Sequence, residues 1–516
     1  MQDIEPTVAR MEAACAETRP GPIGMVVFGA SGDLAHRKLL PSLFGLFRAG
    51  LLSEHFYLVG AGRKKISDED FRSDAGDAIA GSGDGADRRQ IEAFTEKLYF
   101  ATGDYYDTAF YSQLKTRLSQ LDARHGVAGE YVFYLAVPPM LYADIAERLC
   151  SAGLSGRGRD QPDRKPRLVV EKPFGRDLAS AAELNRKIAS CFDESQIYRI
   201  DHYLGKETVQ NILVLRFANT IFEPIWNRNY VDSVQITIAE TLGIEHRASY
   251  YDKAGALRDI FQNHMLQMLA LVAMEPPTSF EADRVRDEKV KLLRSVRAFD
   301  IDNVEKFIVR GQYGPGTIDG REVVGYRDEP GVVPDSRTET FVAAKVFIDN
   351  WRWKDVPFYL RTGKRLTAKD TEVCINFRAV PHSMFEVAGV PLTMPNVLVL
   401  QIQPDEGISL SFQAKRPGSK VCVDTLRMSF LYKDIFGVRM PQAYQRLLLD
   451  CMVGDQTLFT RYDAVEVSWQ LLMPVLQAWQ NDAVPLYEYP AGSQSFPQAD
   501  ELIERDGRAW RKLGTQ

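Results

Sequence analysis

Met25-Val-Val-Phe-Gly-Ala-Ser-Gly-Asp-Leu-Ala35 decides how the first third of this chain folds. Met25 to Phe28 is a short continuous apolar run, the pattern of a strand buried on both faces. A glycine-bearing loop follows at once, and then apolar residues recur at helical spacing through Leu39, Leu40, Leu43, Phe44 and Phe47. Strand, tight loop and helix in that order open a dinucleotide-binding α/β unit, because a pyrophosphate needs close backbone approach at a helix N-terminus. Gly29 and Gly32 permit that approach and Ala35 does not obstruct it. The spacing is GxxGxxA, and an ordinary glycine-containing turn stays open as the alternative.

Working outward, Phe56-Tyr-Leu-Val59 reads as a second strand ending in Gly60-Ala-Gly-Arg-Lys-Lys65. An acidic side chain here would hold ribose hydroxyls, whereas a 2'-phosphate needs a cation. Arg63 is that cation, with Lys64 beside it; a solvated basic turn is the alternative. Residues 66–130 read as amphipathic helices broken by a flexible Gly-rich loop at Gly81 to Gly85. Tyr131 to Ala136 and Leu168 to Val170 read as further buried strands. The second of these delivers Glu171-Lys-Pro-Phe-Gly175 to the carboxyl edge of the sheet, where Lys172 could touch substrate and cofactor together. The polar stretch from Ser155 to Arg164 reads as a surface loop.

Past Glu207 the pattern changes. Period-two runs recur at Val231–Ile238, Phe341–Ile348, Phe358–Arg361, Val373–Phe377, Asn396–Ile402 and Ile408–Phe412, with few helices between several of them. Such runs form a mainly antiparallel sheet. The expected fold is therefore α/β plus α+β: a Rossmann-like domain over residues 21–199, then a larger domain with a mainly antiparallel sheet over residues 200–516.

Arg199-Ile-Asp-His-Tyr-Leu-Gly-Lys-Glu207 joins the two and carries the densest chemistry. His202 and Tyr203 offer directional donors, Lys206 a point charge, and the start of a helix free N–H groups, a set suited to a phosphate dianion. Asp201 would repel that phosphate, so it is expected to orient an imidazole from elsewhere in the chain. Gly205 lets the backbone turn into the helix. A solvated strand-to-helix loop remains the plain alternative. A candidate for that imidazole is His264, at the polar head of the apolar run Met265 to Met274, although on the residues alone a structural, hydrogen-bonded role is favoured. Asp259 would lie about 140° from it on an unbroken α-helix, which argues against that pairing.

Composition narrows the class. With 516 residues, 45% hydrophobic and 26% charged, the chain suits two or three globular domains. A net charge of -6 and the lack of a Lys/Arg tract argue against a nucleic-acid partner. Six scattered cysteines, Cys15, Cys150, Cys191, Cys374, Cys422 and Cys451, fit reduced thiols in cytoplasm rather than a disulfide framework or a metal site. The first twenty residues lack the basic and apolar regions of an export signal, and no run reaches membrane-spanning length.

Taken together, these stretches resemble glucose-6-phosphate dehydrogenases. Gly29 to Ala35, Glu171 to Gly175, Arg199 to Glu207, Arg216-Phe-Ala-Asn219, Pro224-Ile-Trp-Asn227, Gln262-Asn-His264 and Leu360-Arg-Thr-Gly-Lys364 follow that family's order. The likeness continues more weakly to Tyr489-Pro-Ala-Gly-Ser493. The resemblance implies oxidation of glucose 6-phosphate at C1 to a lactone, with hydride passed to NADP and no metal. It implies that His264 is the base and Asp201 its partner. It assigns Lys172, His202, Tyr203, Lys206, Glu240, Asp259, Lys364 and Lys369 to the substrate. Gly29, Ser31, Gly32, Asp33, Leu34, Arg63, Tyr142 and Lys172 fall to the cofactor, although packing explains the aromatic Tyr142 nearly as well. The bond between Lys172 and Pro173 is expected to be cis. The large sheet is expected to form the interface of a homodimer or homotetramer. Members with a second, structural NADP carry cations where Asp370 and Cys374 stand, so no second nucleotide is expected. A broader sugar dehydrogenase and a catalytically silent NADP-binding sensor are the competing readings.

Overall fold

The computed structural model describes residues 18–83, 85, 87–156, 166–387, 394–419, 421–436 and 442–515. The chain opening, Cys15 within it, and most of the loop expected over 155–164 lie outside the described residues.

The apolar runs of the N-terminal third become six strands: β1 (Gly24–Phe28), β2 (Tyr57–Gly62), β3 (Leu98–Thr102), β4 (Tyr131–Leu135), β5 (Arg167–Glu171) and β6 (Ile197–Ile200). Their order is β3-β2-β1-β4-β5-β6, and every neighbouring pair is parallel. All five residues of β1 are buried, as a strand covered on both faces requires. The order reverses between β1 and β4, and ligands bind at the carboxyl ends of the strands flanking such a switch. One expectation fails here: residues 66–130 are not helical throughout, because β3 runs through them. Its sequence, Leu-Tyr-Phe-Ala-Thr, opens with a short apolar run of the kind that periodicity alone does not separate from a buried helix.

The chain forms two compact units. One comprises residues 1–175, 180–205 and 441–462, the other residues 176–179, 206–440 and 463–516. A single cut near residue 200 therefore does not describe the division, since a late segment returns to the first unit. Within that unit Arg167 donates to the carbonyl of Met452 (2.9 Å), Gln456 donates to the carbonyl of Ile197 (3.0 Å), and the Thr460 amide donates to the carbonyl of Arg199 (3.1 Å).

Among the described residues the second unit is built on nine strands: β7 (Val231–Ala239), β8 (Ile308–Gly314), β11 (Phe341–Val346), β12 (Phe358–Gly363), β13 (Asp370–Phe377), β14 (Val397–Gln403), β15 (Gly407–Lys415), β16 (Val423–Leu431) and β17 (Leu486–Pro490). A short hairpin of β9 (Gly316–Ile318) and β10 (Arg321–Val323) stands apart. The sheet order is β16-β15-β14-β13-β7-β12-β11-β8-β17. Pairing is antiparallel except at β7/β12 and β8/β17. The six strands expected by periodicity all form. Strands β8, β16 and β17 lie outside the expected runs, although Leu426, Met428 and Phe430 of β16 alternate as a strand should. One face of the sheet is covered by a core of aromatic residues, among them Tyr251, Tyr313, Tyr326, Phe341, Tyr489 and Phe496. Several meet edge to face, as Tyr313 and Tyr326 do with ring centroids 5.6 Å apart, a geometry worth about 0.5–1.5 kcal/mol per pair beyond burial.

Candidate active site

In the first unit the loop after β1 has the shape its glycines imply. Gly29 sits at φ +82°, and a Cβ there would lie 2.2 Å from the carbonyl oxygen of Ala136. Its amide donates to the carbonyl of Ala61 (2.9 Å), and the Tyr105 hydroxyl, which donates to that same carbonyl, lies 3.0 Å from the Gly29 nitrogen. The Gly32 amide folds back to the Gly29 carbonyl at 2.9 Å. The loop runs through Ser31, Gly32, Asp33 and Leu34 into a widened first turn, Ala35–Leu39, before the α-helix Leu40–Arg48. A cradle closed to any Cβ at Gly29, followed by a helix start, fits a pyrophosphate. Arg63 and Lys64 are exposed just past the end of β2, where a 2'-phosphate would be met. Tyr142 is only 1% exposed and begins the helix Tyr142–Ser151.

At the end of β5, Lys172 is half-buried and the Lys172–Pro173 bond is cis. Its neighbour Glu171 has a site role that no local sequence signal marks. The Glu171 carboxylate accepts from the Tyr134 hydroxyl (2.5 Å) and from the Tyr444 hydroxyl (3.0 Å). Burial raises the Glu171 pKa, and the two tyrosine hydrogen bonds and the Lys172 charge oppose that rise. Tyr444 also lies parallel to the His202 imidazole, with ring centroids 6.3 Å apart, so one side chain touches both Glu171 and His202. No local signal marks it, because it stands on an ordinary amphipathic helix, Ala443–Val453, far along the chain.

The turn after β6 is fixed by Asp201, which is 2% exposed and accepts the Tyr203 amide at 3.0 Å. Side-chain capture of the amide two residues on is how aspartate makes a tight turn. Arg199 is taken up structurally: it is 4% exposed and donates to both Glu194 oxygens (2.5 and 3.0 Å) and to Asn185 (2.8 Å). Gly205 has no left-handed backbone. A Cβ there would lie 2.7 Å from the Ala443 carbonyl, so close approach explains this glycine rather than the turn.

In the second unit Lys206 precedes the helix Glu207–Phe217 as its N-cap. Glu240 follows β7 and Lys364 follows β12; the Lys364 ammonium donates to the Glu240 carboxylate at 2.6 Å and stands 5.2 Å from the Tyr251 ring centroid. Lys364 is 2% exposed, and a buried ammonium needs such partners. Lys369 is exposed. Asp259 and His264 are buried at 3% and 0% exposure, and Asp259 accepts from the Tyr250 hydroxyl at 3.3 Å. Both stand on Leu257–Met265, a π-helical segment. Hydrogen bonds of the i→i+5 kind place residues five apart nearly above one another, so the 140° separation, which assumed α-helical geometry, does not apply.

Asp370 meets the chain's own tail. Asp370 accepts from Gln401 (2.7 Å) and from the Gly514 amide (2.9 Å), while Arg511 donates to Glu372 (3.0 Å). Arg361 donates to the carbonyl of Arg511, and its guanidinium lies 4.8 Å from the Trp510 ring centroid. Burial pushes the Cys374 thiol up to about 12.

Comparison with known proteins bears on this arrangement. The profile for the glucose-6-phosphate dehydrogenase NAD binding domain matches residues 26–211, and that for the C-terminal domain matches residues 213–511. A glucose-6-phosphate 1-dehydrogenase from Chlamydia pneumoniae is 47% identical over 497 residues, covering 95% of this chain and 96% of that one. A solved glucose-6-phosphate dehydrogenase in complex with glucose 6-phosphate is 36% identical with a TM-score of 0.87, covering 96% of this chain and 100% of that one. The crystal structure of glucose-6-phosphate 1-dehydrogenase from Mycobacterium avium gives 36% identity, a TM-score of 0.80 and the same coverage.

Proposed function

Because the chain belongs to the glucose-6-phosphate dehydrogenase family, we propose that it oxidises D-glucose 6-phosphate at C1 to 6-phospho-D-glucono-1,5-lactone with NADP as the hydride acceptor. The observation that carries this is the likeness along nearly the whole chain to a relative described with glucose 6-phosphate bound. In this reading His264 takes the proton from the C1 hydroxyl of the ring form of the sugar. Asp201 fixes the imidazole tautomer and stabilises the imidazolium as it forms. His202, Tyr203 and Lys206 hold the phosphate, and Lys172, Glu240, Asp259, Lys364 and Lys369 hold the rest of the substrate. The remote phosphate supplies binding energy that aligns C1 for reaction. NADP, when bound, supplies the nicotinamide C4 that accepts the hydride. Residues Gly29 to Leu34 would hold its pyrophosphate and Arg63 its 2'-phosphate. The activity is the entry step of the pentose phosphate pathway and is assigned to the cytoplasm. Among the described residues no helix is long and apolar enough to cross a membrane.

The direct test is reduced-nicotinamide absorbance with purified protein. Glucose 6-phosphate is expected to be turned over at least about 100-fold more efficiently than glucose, since losing the ester removes charge-assisted hydrogen bonds worth several kcal/mol. Equal use of both sugars would favour the broader sugar dehydrogenase.

The same reading makes the protein a homo-oligomer through its large sheet. Strand β16 is an edge strand on which Leu426, Met428 and Phe430 are 49%, 59% and 38% exposed. They pair across β15 with Phe412, Leu410 and Ile408, forming an apolar stripe on one face. A stripe of this kind on an edge strand suits a second copy of the same chain. Met428→Asp is expected to shift the protein on size-exclusion chromatography with light scattering to the 58.2 kDa monomer; an unchanged oligomer would exclude this face.

A further inference from the structure

The π-helical segment Leu257–Met265 starts abruptly. It follows Gly255, whose φ of +66° breaks the preceding helix Ala248–Ala256, and a Cβ at Gly255 would lie 2.2 Å from Oε1 of Glu339. The first N–H groups of any helix have no partner within it. Glu339 receives two groups here: its carboxylate accepts the Leu257 amide at 3.0 Å, and its own carbonyl accepts the Ala256 amide at 3.0 Å.

Glu339 is itself held rigidly. It is 4% exposed and stands two residues before β11. Its neighbour Thr340 donates its amide to Gly311 of β8 (2.8 Å) and accepts the Lys364 amide (3.0 Å). The pair Glu339-Thr340 thus ties both the start of the segment carrying Asp259 and His264, and the backbone of Lys364, to the same edge of the sheet. Burial of the Glu339 carboxylate raises its pKa, and the amides of Leu257 and of Glu339 itself, then Arg258 and Arg310, oppose that rise.

We propose that Glu339 is a positioning residue: wedged against Gly255 and bonded to the first amide of the π-helical segment, it sets where that segment begins and hence where Asp259 and His264 are presented. This rests on the reading of His264 as the base. In this role Glu339 acts through the segment that it starts rather than on the reacting atoms. Its side-chain oxygen, rather than its charge, does the work, because an amide oxygen of the same reach accepts the same N–H bond. The hydrogen-bonding start is needed because π geometry is less favourable than α, and Leu257–Met265 would otherwise relax toward an α-helix.

The test compares Glu339→Ala with Glu339→Gln, with His264→Ala alongside, reading kcat, KM and amide hydrogen exchange across residues 257–265. Glu339→Ala is expected to lower kcat on the order of 10–100-fold, through His264, and to raise KM for glucose 6-phosphate several-fold, because Asp259 is displaced with it. The Leu257 amide should lose protection. Glu339→Gln is expected to restore both. Equal loss in the two variants, or a rise in KM without a fall in kcat, would overturn the proposal. If His264→Ala turns over normally, the base assignment and the positioning role fall together; if it is inactive while Glu339→Ala is normal, only the positioning role falls.

Discussion

His264→Ala is expected to lower kcat by on the order of 10³-fold while changing KM for glucose 6-phosphate by less than about threefold. A base that takes its proton only as the C–H bond breaks stabilises the transition state and not the ground state, so the loss belongs in kcat. His264 is 0% exposed and its backbone amide contacts the Asn263 side-chain oxygen at 2.6 Å, which gives the residue a packing role as well. Thermal unfolding must therefore accompany the kinetics. A folded variant that binds glucose 6-phosphate but turns over slowly supports the base. Turnover within a few-fold of the unaltered protein would leave His264 a buried core histidine. Asp201→Asn is the companion variant: it keeps the turn, because an amide oxygen still accepts the Tyr203 N–H bond, but removes the charge that would favour an imidazolium.

The second large effect concerns the nucleotide. Arg63→Asp is expected to reverse the preference between NADP and NAD, shifting the ratio of kcat/KM values by roughly 10²–10³-fold. Loss of a charge-assisted contact and gain of a repulsive one amount to about 3–4 kcal/mol together. Arg63 is exposed and follows β2 directly, so the substitution should leave the sheet intact. Steady-state rates with each nucleotide at saturating sugar check it. A ratio unchanged within threefold would move the 2'-phosphate contact to Lys64 or elsewhere.

Legibility of this chain follows the range over which each signal acts. The opening strand, loop and helix were readable because Met25 to Ala35 carries its own instructions: an apolar run, then glycines where the backbone needs positive φ or close approach. The strands of the second sheet were readable by period two. What was not readable is long-range or geometric. Tyr444 reaches Glu171 across 273 positions, and nothing in its own helix announces that contact. Leu257–Met265 has the composition of an α-helix, and the difference lies in a hydrogen-bond pattern set by Gly255 and by Glu339 some 82 positions away. Glu339 sits next to a strand and would be taken for a strand-end acid. Gly205 suggests conformational freedom in the sequence, whereas in the fold the carbonyl of Ala443 is what forbids a side chain there.

The return of residues 441–462 to the first unit has a consequence in time as well as space. Strand β6 and the turn carrying Asp201, His202 and Tyr203 leave the ribosome roughly 240 residues before the segment that closes over them, a delay of about 12–50 s at ordinary rates of synthesis. Through that interval the edge of the parallel sheet lacks the bonds from Thr460, Gln456 and Met452, and the His202 ring lacks Tyr444. Until then the N-terminal unit has an open strand edge, and the turn carrying Asp201, His202 and Tyr203 gains its last contacts only when synthesis is nearly over.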